Sequence, residues 1–92
     1  MTDEVTRRLR EQIAARDRAI LEAVNARIRL VEELRAHKEQ TGAAFVDRAQ
    51  EERLLDALED VNAGPLSGAG VRRLFEAILA VTKEEVAGES RA

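Results

Sequence analysis

Two long cationic side chains, Arg27 and Lys38, occupy positions in a helical sequence pattern where apolar residues are expected. The apolar residues around them recur at steps of three and four, or at sums of these steps, which is typical of one buried helix face. This apolar set consists of Leu9, Ile13, Ile20, Val24, Val31 and Leu34. Because a buried cation is costly without a partner, the pattern indicates either an anionic ligand or a set of buried carboxylates.

The spacing between Arg27 and Lys38 fits a small anionic ligand. On one helix they lie about 16 Å apart along the axis and within about 20° of the same azimuth. The alternative is a pair of interhelical salt bridges, or side chains that extend their charged ends to solvent. On spacing alone, this alternative is favoured.

Arg10 cannot join these two cations within the same chain. It lies about 25 Å from Arg27 along the helix axis and about 100° around it. Arg10 of a second chain could reach the same ligand if two such helices pack antiparallel. The alternative is that Arg10 is one of several surface arginines in this region.

Asp47 and Glu51 are the carboxylates whose spacing could serve a ligand. They are four residues apart at the start of a predicted helix, so they share one face. Asp47 suits the N-cap, and Glu51 either stabilises the first turn or accepts a hydrogen bond from a ligand hydroxyl.

His37, the only histidine, is predicted to lie at the surface. Since the sequence has no recognisable nucleophile–base pair, phosphate loop or zinc pattern, an enzyme of this kind would work by positioning and electrostatics.

The elements that position these residues are three predicted helices, at about 3–41, 47–62 and 67–86, in one all-α domain spanning 1–92. Gly42 and the run Asn62–Pro65 provide stop signals, Ser67 suits an N-cap, and the tail 87–92 is predicted to be disordered. The first helix would be about 57 Å long, whereas a compact chain of this size has a radius of gyration of about 12 Å. Its apolar stripe therefore needs a cover, and the simplest cover is a second copy of the chain.

Composition excludes several classes of protein. The 92 residues are 45% hydrophobic and 36% charged, and the net charge of -3 argues against a nucleic-acid surface. There are no cysteines, which excludes disulfides and thiolate metal sites. The first residues lack the apolar core of a signal peptide, and no apolar run is long enough to span a bilayer. We therefore expect a cytoplasmic protein.

Beyond these patterns, the sequence resembles the all-helical (type II) chorismate mutases from about Leu9 to Val86. The first part of the resemblance consists of Leu9-Arg10-Glu11, Ile13, Asp17, Ile20-Leu21, Arg27, Leu30-Val31, Lys38, Asp47 and Glu51. A later part, Asn62-Ala63-Gly64-Pro65 followed by Val71-Arg72-Arg73-Leu74-Phe75-Glu76 and Ile78, resembles the subgroup whose mutase domain stands alone or is fused to a DAHP synthase. Single motifs are weak, but the ordered spacing of the charged residues is fairly specific.

The resemblance implies an intertwined homodimer of three-helix chains that converts chorismate to prephenate in phenylalanine and tyrosine biosynthesis, without a metal or cofactor. Arg10 from the partner subunit and Arg27 would bind the two carboxylates of chorismate. Lys38 would bind the ether oxygen of the breaking bond, and Glu51 would hold the ring hydroxyl, helped by the backbone near Asp47.

Three further positions complete the implied substrate-binding set. Gln50 stands where the family commonly has arginine, Val86 where many members have glutamine, and Thr82 at a position that is usually small or hydroxylic.

Same-fold alternatives are an isochorismate pyruvate lyase and an aminodeoxychorismate mutase, and a non-catalytic regulatory or interaction dimer is a third alternative. Some relatives are activated by a DAHP synthase, which makes that enzyme a candidate partner.

Overall fold

The computed structural model describes residues 3–42 and 47–91, with side chains as far as residue 88. The chain forms three helices, α1 (Glu4–Thr41), α2 (Arg48–Val61) and α3 (Gly68–Arg91). The described residues contain no strand, so the prediction of an all-α fold is confirmed. Within these residues, none of the helices combines the length and apolar character that crossing a membrane requires.

Both ends of α1 are capped by side-chain or backbone groups that the sequence provides. Asp3 accepts hydrogen bonds from the backbone N–H of Thr6 at 2.7 Å and from its hydroxyl at 3.0 Å. These bonds, led by the one from the backbone N–H, lower the pKa of Asp3 below its ordinary value. At the other end, Gly42 adopts a φ of 76° and donates its N–H to the carbonyl of Lys38. The helix therefore ends one turn after Lys38, which fixes where this cation stands.

The start of α2 shows half of a capping box. Asp47 accepts a hydrogen bond from the Gln50 backbone N–H at 3.1 Å, as the sequence predicts. The Gln50 side chain turns away instead, and its Oε1 accepts from the Arg53 guanidinium at 2.9 Å. At the far end, the side chain of Asn62 spans the turn by donating to the Leu66 carbonyl and accepting from the Gly64 N–H.

The third helix begins as predicted but extends further. The Ser67 hydroxyl accepts a hydrogen bond from the Gly70 N–H at 3.0 Å, which caps the first turn. The predicted end near Val86 was wrong, because α3 continues to Arg91 through most of the tail that was expected to be disordered. Gly88 alone does not stop a helix, since glycine costs only about 1 kcal/mol relative to alanine and no proline follows it. Residue 92 lies outside the described residues.

Polar contacts join α1 to α3, and a charged cluster joins α2 to α3. Arg27 of α1 donates a hydrogen bond to the Thr82 hydroxyl of α3. Eight residues later in α1, Arg35 donates to the Val86 carbonyl of α3 at 2.9 Å. The Arg72 guanidinium of α3 pairs with three carboxylates of α2, on Glu52, Asp56 and Glu59. Its hydrogen bonds to Glu59 and Glu52 raise the pKa of Arg72 above its ordinary value.

The buried core of a single chain is small, and α1 contributes nothing to it. Among the described residues, three apolar residues are buried, Leu55 of α2 with Val71 and Val86 of α3, together with Thr82. No described residue of α1 is buried, although the helix has 38 residues. The chain measures 60 × 33 × 15 Å with a radius of gyration of 17.1 Å, against about 12 Å for a compact domain of this length. The predicted overhang of α1 is therefore present.

Candidate active site

A cleft of about 450 Å³ lies where the second half of α1 meets the start of α2 and the last part of α3. All three helices line it with both apolar and charged side chains. From α1 come Arg27, Val31, Leu34 and Lys38; from the α2 end Asp47, Gln50, Glu51 and Leu54; and from α3 Leu79, Thr82 and Lys83. Six of the residues that the sequence nominated as substrate-binding thus lie around one cleft.

Arg27 is held in place by a hydroxyl and not by a carboxylate. Its Nη1 donates to Thr82 Oγ1 at 3.0 Å, and that hydroxyl donates onward to the Ile78 carbonyl at 2.6 Å. Thr82 is 4% exposed, so the contact that orients the guanidinium is itself buried. A guanidinium has five N–H donors, so four remain beside the bond to Thr82 and can serve an anion.

Lys38 is half-buried in the last turn of α1 and lines the cleft eleven residues after Arg27. Within the described part of the chain, its ammonium makes no ion pair or side-chain hydrogen bond, and Arg27 makes no ion pair. Among the described residues, the interhelical salt bridges that offered an alternative explanation for these two cations are therefore not formed. The negative end of the α1 dipole favours a cation at this position.

The carboxylates of the cleft stand on the first turn of α2. Glu51 is half-buried, and both of its oxygens contact the Lys83 ammonium of α3, at 2.9 Å and 3.2 Å. Asp47 is exposed at the N-cap, where one of its oxygens is used by the Gln50 N–H. Across the cleft there are three cationic side chains and two carboxylates, so its own residues leave one positive charge in excess.

Two of the nominated residues lie elsewhere. Arg10 is exposed near the start of α1 and does not line the cleft, as the helix geometry predicts for its own chain. Val86 is 3% exposed and lies outside the cleft, with its carbonyl bonded to Arg35. An apolar side chain one turn beyond Thr82 packs between helices, so the structure does not bring the Val86 side chain to the cleft as the resemblance implied. His37 is exposed, as predicted.

Sequence reasoning missed Lys83 as a residue of the cleft. Lys83 follows Thr82 directly, and consecutive residues on a helix face directions about 100° apart. Its place beside Glu51 depends on the antiparallel packing of α2 and α3, in which Glu51 meets Lys83 and Glu59 meets Arg72. No local spacing carries that information.

The arrangement suits a small anion that has both charged and apolar parts. Arg27 and Lys38, which have no carboxylate partner in the described part of the chain, stand at opposite ends of an apolar wall formed by Val31 and Leu34. Glu51 can accept a hydrogen bond from a hydroxyl. The cleft brings no nucleophile together with a base in its described lining. Binding and electrostatic stabilisation are therefore the chemistry that these residues can perform.

Comparisons with known proteins agree with this geometry. A family model described as chorismate mutase type II matches residues 9–86. Among solved structures, the Form II chorismate mutase of Thermus thermophilus superposes with a TM-score of 0.86 at 28% identity, covering 91% of this chain and 96% of that one. The Form I structure gives a TM-score of 0.84 at 30% identity, covering 86% and 99% respectively. No curated protein sequence matches the chain.

These matches bear directly on the function. The likeness to the two solved structures extends over nearly the whole of each compared chain, and none of the three matches favours a lyase, an amino-substituted substrate or a non-catalytic dimer. The chain belongs to the type II chorismate mutases, isomerases of aromatic amino acid biosynthesis that convert chorismate to prephenate.

Proposed function

We propose that the cleft between the three helices is the site where this chain rearranges chorismate to prephenate, once Arg10 of a second copy completes it. The observation that carries the proposal is the state of Arg27 and Lys38. Both cations line the cleft, and neither is paired with a carboxylate among the described residues. A dianionic substrate would provide the partners that these cations lack.

In this proposal, the carboxylates of chorismate are bound by arginines. Arg27 binds one, because its guanidinium is already oriented by Thr82 and retains free donors in a planar fork suited to a carboxylate. The partner subunit's Arg10 binds the other. Asp47 and Gln50, which are exposed and line the cleft, contribute polar contacts and backbone groups around the substrate ring.

Lys38 and Glu51 act on the oxygens of the ring. The rearrangement is pericyclic, so it needs no proton transfer, covalent intermediate or cofactor, and the site must hold the compact diaxial conformer. Negative charge develops on the ether oxygen as the C–O bond lengthens. The Lys38 ammonium stabilises this charge more in the transition state than in the ground state, which is the condition for lowering the barrier. Glu51 accepts the hydrogen bond of the ring hydroxyl.

The exposed part of α1 supports a dimer. Leu9, Ile13 and Ile20 lie on the predicted apolar stripe and are 50%, 60% and 60% exposed in the single chain. An apolar surface of this extent along a helix is typical of an interaction face. Two α1 helices packed antiparallel would cover the stripes and carry each Arg10 towards the cleft of the other chain.

The test is the loss of chorismate absorbance on adding the purified protein, with prephenate identified as the product. Lys38→Met should lower kcat by about 10²–10³ with a smaller change in KM, because it removes one preorganised donor. Arg29→Met removes an exposed cation of the same helix that lies outside the cleft and should leave kcat unchanged. Near wild-type turnover by Lys38→Met would contradict the role of this residue.

We also propose that the protein is cytoplasmic, and that a DAHP synthase is a candidate partner that activates it. The turnover measurement should therefore be made with the protein alone and again with a DAHP synthase added. An increase in kcat/KM only in the second case identifies that enzyme as a partner. Equal rates in both cases identify the homodimer as the complete catalytic unit.

A further inference from the structure

We propose that Lys83 is a positioning residue that holds the Glu51 carboxylate and neutralises its charge, so that a dianionic substrate can bind beside it. This inference rests on the proposed function, in which Glu51 contacts chorismate. Lys83 Nζ lies 2.9 Å from one Glu51 oxygen and 3.2 Å from the other. The Glu51 side chain is only 24% exposed, whereas that of Lys83 is 46% exposed.

The first argument is electrostatic. Glu51 places a negative charge in the wall of a cleft that is proposed to bind two carboxylates. Because the carboxylate is largely withdrawn from water, solvent screens its repulsion of the substrate only partly. Arg27 is hydrogen-bonded to Thr82, and Lys38 forms no ion pair with Glu51 within the described residues. Lys83 is therefore the cation that offsets this carboxylate.

The second argument concerns orientation. A carboxylate has about four acceptor positions on its two oxygens. Contact of one ammonium with both oxygens uses two of them and leaves acceptors for a substrate hydroxyl. It also ties a flexible side chain of α2 to the neighbouring helix α3, which restricts Glu51 to one orientation before the substrate arrives.

These arguments predict a specific kinetic signature. The pairing of Lys83 with Glu51 is the same in the ground state and in the transition state. Its loss should therefore weaken the binding of the substrate and the binding of the transition state to a similar degree. We expect Lys83→Met to raise KM about 10-fold with kcat changed much less, which separates it from Lys38. Lys83→Arg retains the charge and should restore most of the affinity.

A double-mutant cycle with Glu51→Gln tests whether Lys83 acts through Glu51. The Glu51→Gln variant has no carboxylate charge to offset, so adding Lys83→Met to it should change KM by less than about 3-fold. An equal rise in KM in both backgrounds would show that Lys83 contacts the substrate directly, and would overturn the inference. An unchanged KM for Lys83→Met in the wild-type background would also overturn it.

The design separates this inference from the proposed function. If the wild-type protein does not convert chorismate, the proposed function fails independently of Lys83. If the wild-type protein is active but Glu51→Gln has wild-type KM, only the proposed contact of Glu51 with the substrate fails, and with it the role of Lys83. If Glu51→Gln turns over too slowly for kinetics, prephenate dissociation constants from calorimetry complete the same cycle. Arg73→Met, an exposed cation of α3 outside the cleft, is the matched control and should keep wild-type KM. Lys83→Gln replaces Lys83→Met in the cycle if the latter unfolds at the assay temperature.

Discussion

The proposed dependence of each site on two chains can be tested by substituting Arg10 and Arg27 on different chains of a heterodimer. Both residues lie on the same continuous helix, Glu4–Thr41, so their spacing is fixed. At 1.5 Å per residue they are about 25 Å apart along the axis. That distance is far longer than an arginine side chain, and in this structure only Arg27 lines the cleft. Under the proposed function, a complete site would therefore need Arg27 from one chain and Arg10 from the other.

Two kinds of heterodimer make opposite predictions. When one chain carries Arg10→Ala and the other Arg27→Ala, one site has both arginines and the second site has neither. Such a heterodimer should retain about half of the wild-type activity. When one chain is wild-type and the other carries both substitutions, each site lacks one arginine, and the heterodimer should be nearly inactive.

The expected fall in kcat/KM for each homodimeric variant follows from the loss of one arginine–carboxylate contact. Removing one partner of such a pair costs about 2–5 kcal/mol, so each homodimeric variant should lose about 30-fold or more in kcat/KM. The half of wild-type activity expected for the first heterodimer is therefore well above the residual activity of the Arg10→Ala and Arg27→Ala homodimers. Two different affinity tags on co-expressed chains allow each heterodimer to be purified, and loss of chorismate absorbance measures its activity.

The reverse outcome would refute the reasoning. If one chain contained the whole site, the heterodimer of the two single variants would be inactive, and the heterodimer of wild-type and double-variant chains would keep half of the activity. A heterodimer of two differently tagged wild-type chains controls for the tags. Wild-type kcat/KM in the Arg10→Ala homodimer would exclude Arg10 from the site altogether.

The fold was predictable because its signals are local. A run of 38 residues without proline or glycine, with Asp3 before it and Gly42 after it, defines α1 almost to the residue. The placing of Arg27 and Lys38 around one cleft follows from the same regularity, since a straight helix converts sequence spacing directly into distance. What spacing could not decide is whether carboxylates pair with these cations, because that depends on which helices lie opposite.

The features that sequence reasoning missed depend on packing between helices. Lys83 reaches Glu51 only because α2 and α3 run antiparallel in one particular register. The resemblance places Val86 in the substrate-binding set, and in the single chain its apolar side chain is buried outside the cleft, a position that depends on packing between helices. The extension of α3 past Gly88 was missed because the last residues of the chain were expected to be disordered as a terminal tail, whereas one glycine costs too little to end a helix.

Three further substitutions test the dimer, the fold and the site in turn. Ile13→Glu places a charge on the exposed stripe of α1 and should convert the dimer to an inactive monomer, as measured by light scattering and turnover; an active monomer would contradict the two-chain site. Arg72→Met removes the cation shared by three α2 carboxylates and should lower the midpoint of thermal unfolding without changing KM, whereas an unchanged midpoint would mean that the cluster does not stabilise the fold. Thr82→Val keeps the shape of a buried side chain but removes the acceptor that orients Arg27. A hydrogen bond to a charged group is worth about 1.5–3 kcal/mol, so kcat/KM should fall about 10-fold or more, while Thr82→Ser retains the hydroxyl and the activity. Equal kcat/KM for the valine and serine variants would show that the substrate alone orients Arg27, and that the preformed contact with Thr82 contributes nothing to catalysis.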